Sequence, residues 1–465
     1  MTQIVELEAG HPEEHRLSHS LESRHVSMIA IGGIIGAGLF VGSSTAIAQV
    51  GPAVIVSYAL AGALILMVMR MLSEMASLHP GAGSFTELVR EGLGERAGFV
   101  CGWLYWYFWV VVVAIEAIAG AVILASWIAA PVWLIGMVLL ALMTGVNLLS
   151  ARSYGEFEFW FSLAKVVAIV GFIVIAGLWA FGVTSPASPA FANLTGHDGF
   201  APNGWGAVLA GVTTVIFALT GAEIATIAAA ESHEPARTIA RITGSVALRI
   251  LLFYLLSIAL IVAVIPWTSV VEGHSPFASA LDSMNIPHAG DIMNAVILVA
   301  VLSCLNSGMY VTSRVLFVLS EKGNAPKALV TLNHRHVPVR ATLTGSLFAY
   351  LALAASVISP QVVFSFLVNA SGALMLFIYL LVCLAQLRMR AQTERDDPDQ
   401  LVIRMWFHPY GSIASALGIV VVLVAMGFKA SSRAELVSSL VLLAVTFALS
   451  FYRPGKPGAV LAAAE

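Results

Sequence analysis

Val26–Gly42 reads VSMIAIGGIIGAGLFVG, an apolar stretch that continues to about residue 49 and is long enough to span a bilayer. Gly32, Gly33, Gly36 and Gly38 stand near its centre. Glycine is the poorest helix former after proline, so this centre can unwind. Unwound backbone persists in a bilayer only where it is buried in protein or lines a cavity, and its N–H groups can bind a carboxylate. The stretch therefore predicts a broken helix at a transporter's binding site, with close packing through small residues as the alternative.

The composition places the whole chain in a membrane. Of its 465 residues, 59% are hydrophobic and only 11% are charged, and the mean hydropathy is +0.91. A soluble domain carries about 25% charged residues. The net charge of −3 gives no sign of a nucleic-acid partner. Cys101, Cys304 and Cys383 all lie in apolar segments, which favours neither a disulfide framework nor a zinc site.

Apolar segments of membrane-spanning length recur along the chain. With about 20 residues per span, the sequence predicts an all-α, polytopic membrane protein of about twelve transmembrane helices. The approximate cores are 26–49, 52–71, 98–128, 131–150, 157–182, 204–230, 239–265, 289–319, 340–358, 361–387, 411–429 and 434–452. A short amphipathic element is predicted at 79–97, after the second span.

Lysine and arginine fall almost entirely in one set of the connecting loops. The opposite set holds only Lys429 and Arg433, and the loops 183–203 and 266–288 contain neither residue type. Because cytoplasmic loops carry the excess of positive charge, both termini are predicted to be cytoplasmic. The chain is therefore expected to be a multi-pass protein with an even number of spans.

The sixth span carries a second weak point, since Thr220-Gly221 stands beside Glu223 in an apolar run. Two interrupted helices five spans apart point to paired repeats of inverted topology. The predicted organisation is a 5+5 inverted-repeat core with broken helices 1 and 6, plus two C-terminal helices. Its parts are an N-terminal tail 1–25, a first repeat 26–183, a second repeat 204–388, a cytoplasmic loop 389–410, two additional helices 411–452 and a C-terminal tail 453–465.

Three ionisable residues lie deep in predicted spans: Glu116 in the third, Lys165 in the fifth and Glu223 in the sixth. A charge at mid-bilayer costs about 2.5–3.5 kcal/mol, so each one needs an explanation. For Glu116 the choice is a structural hydrogen bond or a substrate or proton site. Lys165 either forms a buried ion pair or releases a proton, as a desolvated ammonium can near neutral pH. Glu223 either accepts hydrogen bonds from the broken backbone or titrates.

These features resemble the amino acid permeases of the amino acid–polyamine–organocation (APC) superfamily. The matching stretches are Ile29–Ser43, Glu74–Phe85, Gly155–Lys165 and Gly221–Ser232, in the family's order and spacing. Shorter stretches, including Ser303–Ser307 (SCLNS), look most like the bacterial γ-aminobutyrate (GABA) permeases within it. One departure is Phe217–Gly221 (FALTG), where family members commonly carry a bulkier Phe-Ser-Phe-x-Gly pattern.

The resemblance implies where a substrate would bind. Backbone N–H groups around the first break would meet its carboxylate, and carbonyls near the second break would meet its amino group. The implied residues are Ile35, Gly36, Ala37 and Gly38 for the carboxylate; Phe217, Ala218 and Leu219 for the amino group, with Phe217 as gate; Glu116, Cys304 and Asn306 facing the ligand; and Lys165, with Glu116, at the proton site.

The expected function is import of GABA or a closely related amino acid by proton symport across the bacterial cytoplasmic (inner) membrane. Another substrate (proline, an aromatic amino acid or β-alanine) is one alternative, and a non-transporting amino acid sensor is another. An enzyme is not expected, because no span holds a His-x-x-x-His pair. The expected partners are the amino acid, H⁺ as coupling ion and membrane lipid. No cofactor or metal is expected, and no pattern indicates an oligomeric state.

Overall fold

The fold is built from helices along the whole described part of the chain. The structure is a computed structural model and describes residues 35–79, 82, 84–149, 154–184, 190–221, 223, 251–333 and 337–452, which contain no β-strand. The helices are α1 Ala37–Phe40, α2 Gly42–Val50, α3 Val54–Leu78, α4 Phe85–Leu93, α5 Glu95–Ala125, α6 Val132–Leu149, α7 Tyr154–Ala180, α8 Gly204–Leu219, α9 Leu251–Val264, α10 Pro276–Ser283, α11 Ala289–Glu321, α12 Val339–Ala355, α13 Pro360–Asp396, α14 Tyr410–Phe428 and α15 Arg433–Tyr452.

Twelve apolar segments occur among the described residues. Seven helices are long and apolar enough to cross a bilayer, and five shorter apolar segments, one of which joins α1 and α2, lie between them. This confirms the all-α membrane fold with about twelve helices. At 33 residues, α11 is about 50 Å long and exceeds the thickness of the bilayer core, as the length of the eighth apolar core indicates. The inverted relation between the two halves stays a prediction.

The helices differ in how much of their surface faces other helices. Most of α5 and α13 is buried, whereas α7, α14 and α15 expose apolar side chains such as Val167, Val421 and Val441. Exposed branched aliphatic residues on that scale suit hydrocarbon rather than water. Helices α5 and α13 therefore lie inside the bundle, and α7, α14 and α15 present one face to lipid.

Some boundaries differ from those predicted. The amphipathic element predicted at 79–97 contains α4, and Glu95 already begins α5. Helix α10 lies in the loop 266–288, where no helix is predicted, although Ser275 caps it and Pro276 is its first residue, a recognisable start signal. Helix α13 continues to Asp396, so the loop after it begins eight residues later than the predicted start at residue 389.

A buried polar cluster explains why α13 extends so far. Glu74, on the last turns of α3, is 1% exposed and accepts hydrogen bonds from Gln386 Nε2 at 2.7 Å and Arg390 Nη1 at 2.8 Å. It also accepts one from the backbone N–H of Met405, in the chain after α13. Ser412 of α14 donates to the Gln386 side chain at 2.7 Å. The carboxylate thus joins α3, the end of α13, the following loop and α14.

Removal of this carboxylate should destabilise the fold. Glu74→Ala removes the buried partner of the Arg390 guanidinium, which then keeps only the exposed Glu394 carboxylate on its own helix at 2.7 Å. Loss of one member of a buried pair costs up to about 3–5 kcal/mol. We expect a clearly lower melting temperature for the purified variant in detergent. Glu91→Ala, which removes an exposed carboxylate on α4, is the control and should melt close to the parent. Equal melting temperatures for the two variants would contradict a stabilising role for the cluster.

Candidate functional site

The first apolar span is interrupted on both sides of a single helical turn. Gly36 is extended (φ −141°, ψ −152°), Ala37–Phe40 form α1, and Val41 leaves helical geometry before α2 begins. Gly32 and Gly33, which the sequence also places in the break, lie outside the described residues.

The predicted break is confirmed at Gly36, whereas Gly38 lies inside the turn and the irregular Val41 was not predicted. The Val41 N–H still donates to the Ala37 carbonyl at 2.8 Å. The N–H of Ala37, at the start of the turn, needs a partner from another element.

Glu116 of α5 supplies one such partner. The backbone N–H of Ala37 donates to both carboxylate oxygens of Glu116, at 3.1 Å to Oε1 and 3.2 Å to Oε2. Glu116 is 3% exposed. A Cβ added to Gly36 would lie 2.7 Å from Oε1, which is closer than real side chains approach. Gly36 is therefore the residue that lets the carboxylate reach the peptide N–H beside it.

Helix α11 contacts the same break from another side. The Cys304 thiol donates to the carbonyl of Ile35 at 3.4 Å between sulfur and oxygen. Lys165 of α7 is fully buried, and its Nζ lies 3.0 Å from Ser303 Oγ and 3.8 Å from Cys304 Sγ. Lys165 is thus one layer behind the break, and Cys304 lies between its ammonium and the backbone of the first span.

The second break follows α8, as the Thr220-Gly221 pair predicts. Thr220 is extended (φ −69°, ψ 150°), and Gly221 has φ +116°, a conformation that favours glycine. Glu223 accepts a hydrogen bond from the N–H of Gly221 at 3.0 Å and from the Tyr379 hydroxyl at 3.4 Å. Glu223 therefore stabilises the end of α8 by binding its backbone. Residues 224–250 lie outside the described part of the chain.

The two breaks meet at a small cavity. A Cβ on Gly38 would lie 2.7 Å from the Cα of Ala218 and 3.3 Å from the Phe217 ring, so α1 and the end of α8 are in close contact. The cavity volume is about 20 Å³, enough for one water molecule. It is lined by Gly36, Gly38, Phe108, Trp109, Val112, Glu116, Phe217, Ala218, Thr220 and Cys304.

Most of the predicted site residues converge here. Gly36, Gly38, Glu116, Phe217, Ala218 and Cys304 line the cavity, while Ile35, Ala37 and Lys165 contact the lining residues. Leu219 is buried at the end of α8 but is not part of the cavity lining. Their roles toward a ligand stay predictions.

Asn306 lies apart from this group. Its side-chain oxygen accepts a hydrogen bond from Asn147 Nδ2 of α6 at 2.7 Å, and the residue does not line the cavity. Residues two apart on a helix point in nearly opposite directions. Because Cys304 faces the break, Asn306 faces α6.

Four lining residues are missing from the sequence-based prediction: Phe108, Trp109, Val112 and Thr220. The first three precede Glu116 by eight, seven and four residues, which places them on the same face of α5. Helical periodicity counted from Glu116 would have found them. Thr220 belongs to the weak point of the sixth span, where the sequence singled out the break rather than its hydroxyl.

Comparison with known proteins identifies the family. The family model described as "Amino acid permease" matches residues 25–452. The chain belongs to the amino acid permease family. It is 46% identical to the γ-aminobutyric acid permease of Bacillus subtilis over 422 residues, covering 90% of each protein. It is 44% identical to the γ-aminobutyric acid permease of Escherichia coli K12, covering 92% of each.

More distant relatives fit the same fold. The permease is 35% identical to an aromatic amino acid transport protein of Corynebacterium glutamicum, over 95% of this chain and 96% of the relative. Among solved structures, a manganese transporter of Eremococcus coleocola superposes with a TM-score of 0.52 at 13% identity, covering 94% of this chain and 96% of that one. At this identity the likeness concerns the fold alone.

The connection between α9 and α11 packs against the first span. Glu272 in this α9–α11 connection accepts a hydrogen bond from Ser365 of α13, and the Ser365 hydroxyl lies 3.1 Å from the hydroxyl of Thr45 on α2. The Phe277 ring of α10 packs against Phe40 of α1, with 5.1 Å between ring centroids. The connection is thus joined to α1, α2 and α13.

The space around Gly36 gives a direct test of the site. A methyl group in Gly36→Ala would lie 2.6 Å from Cys304 Sγ and 2.7 Å from Glu116 Oε1. Overpacking of about 1–3 kcal/mol should lower amino acid uptake by about 10- to 100-fold. The measurement is uptake by cells or proteoliposomes, normalised to the amount of protein in the membrane.

Two further variants control this prediction. Gly171→Ala places its methyl group in open space on α7 and should transport normally. Gly36→Ala combined with Cys304→Ala removes the nearest obstructing atom and should recover part of the lost uptake. Normal uptake by Gly36→Ala alone would show that this contact is not needed for transport.

Proposed function

We propose that this permease imports GABA, or an amino acid with similarly separated charges, by proton symport across the bacterial cytoplasmic membrane. The observation that carries the proposal is 46% and 44% identity to two γ-aminobutyric acid permeases over about nine tenths of the chain. The broken spans support it, because they bring peptide groups of opposite polarity to one cavity. A substrate of this class has a carboxylate at one end and an ammonium at the other.

In the proposed binding mode, the substrate carboxylate binds the peptide N–H groups around Gly36 and Ala37. The ammonium binds the carbonyls of Phe217, Ala218 and Leu219 at the end of α8, where helix carbonyls run out of intrahelical donors. Of the three, the Phe217 carbonyl also accepts a hydrogen bond from the Thr220 N–H at 3.3 Å. Close contact between Gly38 and Ala218 keeps the two sets of peptide groups near each other. Cys304 would be part of the wall against which the substrate packs.

The proposed proton coupling uses the two buried titratable groups next to the first break. Glu116 contacts the break directly, and Lys165 lies behind it through Cys304. Burial in the bundle makes the protonation state of either group responsive to a charged neighbour. Arrival of a substrate carboxylate in the same cavity would therefore be linked to uptake of a proton.

Two observations support alternating access: the small volume of the cavity and the contacts that the α9–α11 connection makes with the first span. A volume of about 20 Å³ is too small for an amino acid, so the breaks must separate to admit one. Phe217, on the cavity wall, is the proposed gate. The distribution of lysine and arginine supports a proposed orientation with the α9–α11 connection outside the cell and both termini in the cytoplasm.

Uptake by proteoliposomes tests the function. With the exterior more acidic than the lumen, radiolabelled GABA should accumulate, and collapse of the pH gradient should abolish the accumulation. β-Alanine, proline and phenylalanine are measured in parallel. Stronger accumulation of phenylalanine or proline would overturn the GABA assignment, and saturable binding of GABA without uptake would instead indicate a sensor.

Lys165→Ala tests the coupling. Loss of the ammonium behind the first break removes a positive charge that acts on Glu116. We expect loss of pH-driven accumulation, while exchange of labelled for unlabelled GABA across the membrane continues. Lys322→Ala is the control, since Lys322 lies at the end of α11 and pairs with Glu87 far from the cavity. Unchanged pH-driven accumulation in Lys165→Ala would exclude Lys165 from coupling.

A further inference from the structure

Glu116 occupies the position that the proposed binding mode gives to the substrate. The N–H of Ala37 is the peptide group expected to bind the substrate carboxylate, and in the structure it donates to both oxygens of Glu116, at 3.1 and 3.2 Å. The side chain reaches there from α5, 79 residues along the chain. A carboxylate of the protein therefore takes the place of a carboxylate of the ligand.

The space around this contact does not admit both groups. Glu116 Oε1 lies 2.7 Å from the point where a Cβ on Gly36 would be, and Cys304 Sγ lies 2.6 Å from the same point. The adjoining cavity has a volume of about 20 Å³, the size of one water molecule. A substrate carboxylate can reach the Ala37 N–H only after the Glu116 side chain leaves it.

The charges around Glu116 determine when its side chain can leave the Ala37 N–H. The groups that face Glu116 are the Ala37 peptide, the Cys304 thiol of α11, the Lys165 ammonium of α7 and the Tyr254 hydroxyl of α9. Lys165 is the one cation among these described groups, so a second carboxylate in this space would be repelled by an ionised Glu116. Protonation of Glu116 removes that repulsion and weakens its hydrogen bond from Ala37.

We propose that Glu116 is an internal ligand of the first break, which the substrate carboxylate replaces only when Glu116 takes up a proton. The inference rests on the proposed function and specifies its coupling step. One proton from the exterior converts the Glu116 carboxylate to the carboxylic acid, and the substrate then binds the freed Ala37 N–H. When the substrate leaves on the other side, Glu116 releases the proton there and returns to Ala37. One proton and one substrate cross together, and the empty site is closed by its own carboxylate.

This assignment separates the roles of Glu116 and Lys165. In the proposal Glu116 carries the proton, and Lys165 is a positioning residue that influences how readily Glu116 is protonated. Without the Lys165 ammonium, Glu116 holds its proton more firmly and does not release it inside the cell, so exchange continues while accumulation is lost. Substrate affinity should therefore stay pH-dependent in Lys165→Ala, with the change moved to higher pH, and become pH-independent in Glu116→Gln. A site in which the ionised Glu116 turned toward Lys165 to admit the substrate would give an affinity independent of pH in the parent permease.

The test is the Kd of radiolabelled GABA for the purified, full-length permease, measured between about pH 5 and 9. Above the titration of Glu116, the parent Kd should rise about tenfold per pH unit, which is the slope for one linked proton. Glu116→Gln should give a flat Kd close to the parent's low-pH value. Glu435→Gln, which alters a buried carboxylate of α15 that does not line the cavity, is the matched control and should keep the parent slope.

An infrared difference spectrum of the parent permease gives a second readout. Addition of GABA at constant pH should produce the C=O stretching band of a newly protonated carboxylic acid, and Glu116→Asp should shift that band. The appearance of this band in the parent permease can be interpreted without any variant. A flat Kd in the parent, a parent-like slope in Glu116→Gln, or absence of the carboxylic acid band would overturn the proposal. Failure of the parent to bind GABA at any pH would instead overturn the GABA assignment.

Discussion

The hydrogen bonds between the Ala37 N–H and the Glu116 carboxylate are the interaction on which the rest of the site depends. A peptide group without a partner inside a bilayer costs several kcal/mol, so a helix can open there only if another element satisfies it. Glu116 does this for the N–H of Ala37, and Cys304 does it for the carbonyl of Ile35. Helices α5 and α11 are therefore necessary parts of the broken first span.

The second break is satisfied in a different way. Glu223 binds the N–H of Gly221, only two residues away, and Tyr379 of α13 binds the same carboxylate. The first break thus depends on a carboxylate that is distant in sequence, whereas the carboxylate that binds the second break is only two residues away. A local carboxylate can hold its backbone through a rearrangement of the bundle, but the Glu116 contact changes whenever α1 and α5 move relative to each other. This difference is the reason that the proposed coupling is located at the first break.

The sequence predicted the fold and the breaks because their physical causes are local. Glycines in an apolar span and the Thr220-Gly221 pair weaken a helix wherever it packs, and about twelve apolar segments follow from hydropathy alone. The sequence analysis also predicted Glu116 as a site residue. It did not predict Phe108 or Val112, although all three residues lie on one face of α5. The prediction for Asn306 also ignored the direction of side chains on a helix. Asn306 lies two residues from Cys304, so it faces α6 instead of the cavity.

Other features depend on contacts that no local pattern encodes. The extension of α13 to Asp396 follows from Arg390, which reaches Glu74 on a helix more than 300 residues earlier. The occupation of the Ala37 N–H by Glu116 is of the same kind. All of these residues could be identified in the sequence. Which group a buried carboxylate binds is decided by how the helices pack, and the sequence does not show that packing.

The single turn α1 links the Glu116 contact to the Phe277 contact. Ala37 begins this turn and Phe40 ends it, so the Glu116 contact and the Phe277 contact are separated by about 4.5 Å along the helix axis. The turn is too short to bend, so any rotation that follows the loss of Glu116 from Ala37 also moves the aromatic surface on which Phe277 rests. A reagent that immobilised the Phe277 segment would therefore restrain the Glu116 contact without binding to Glu116.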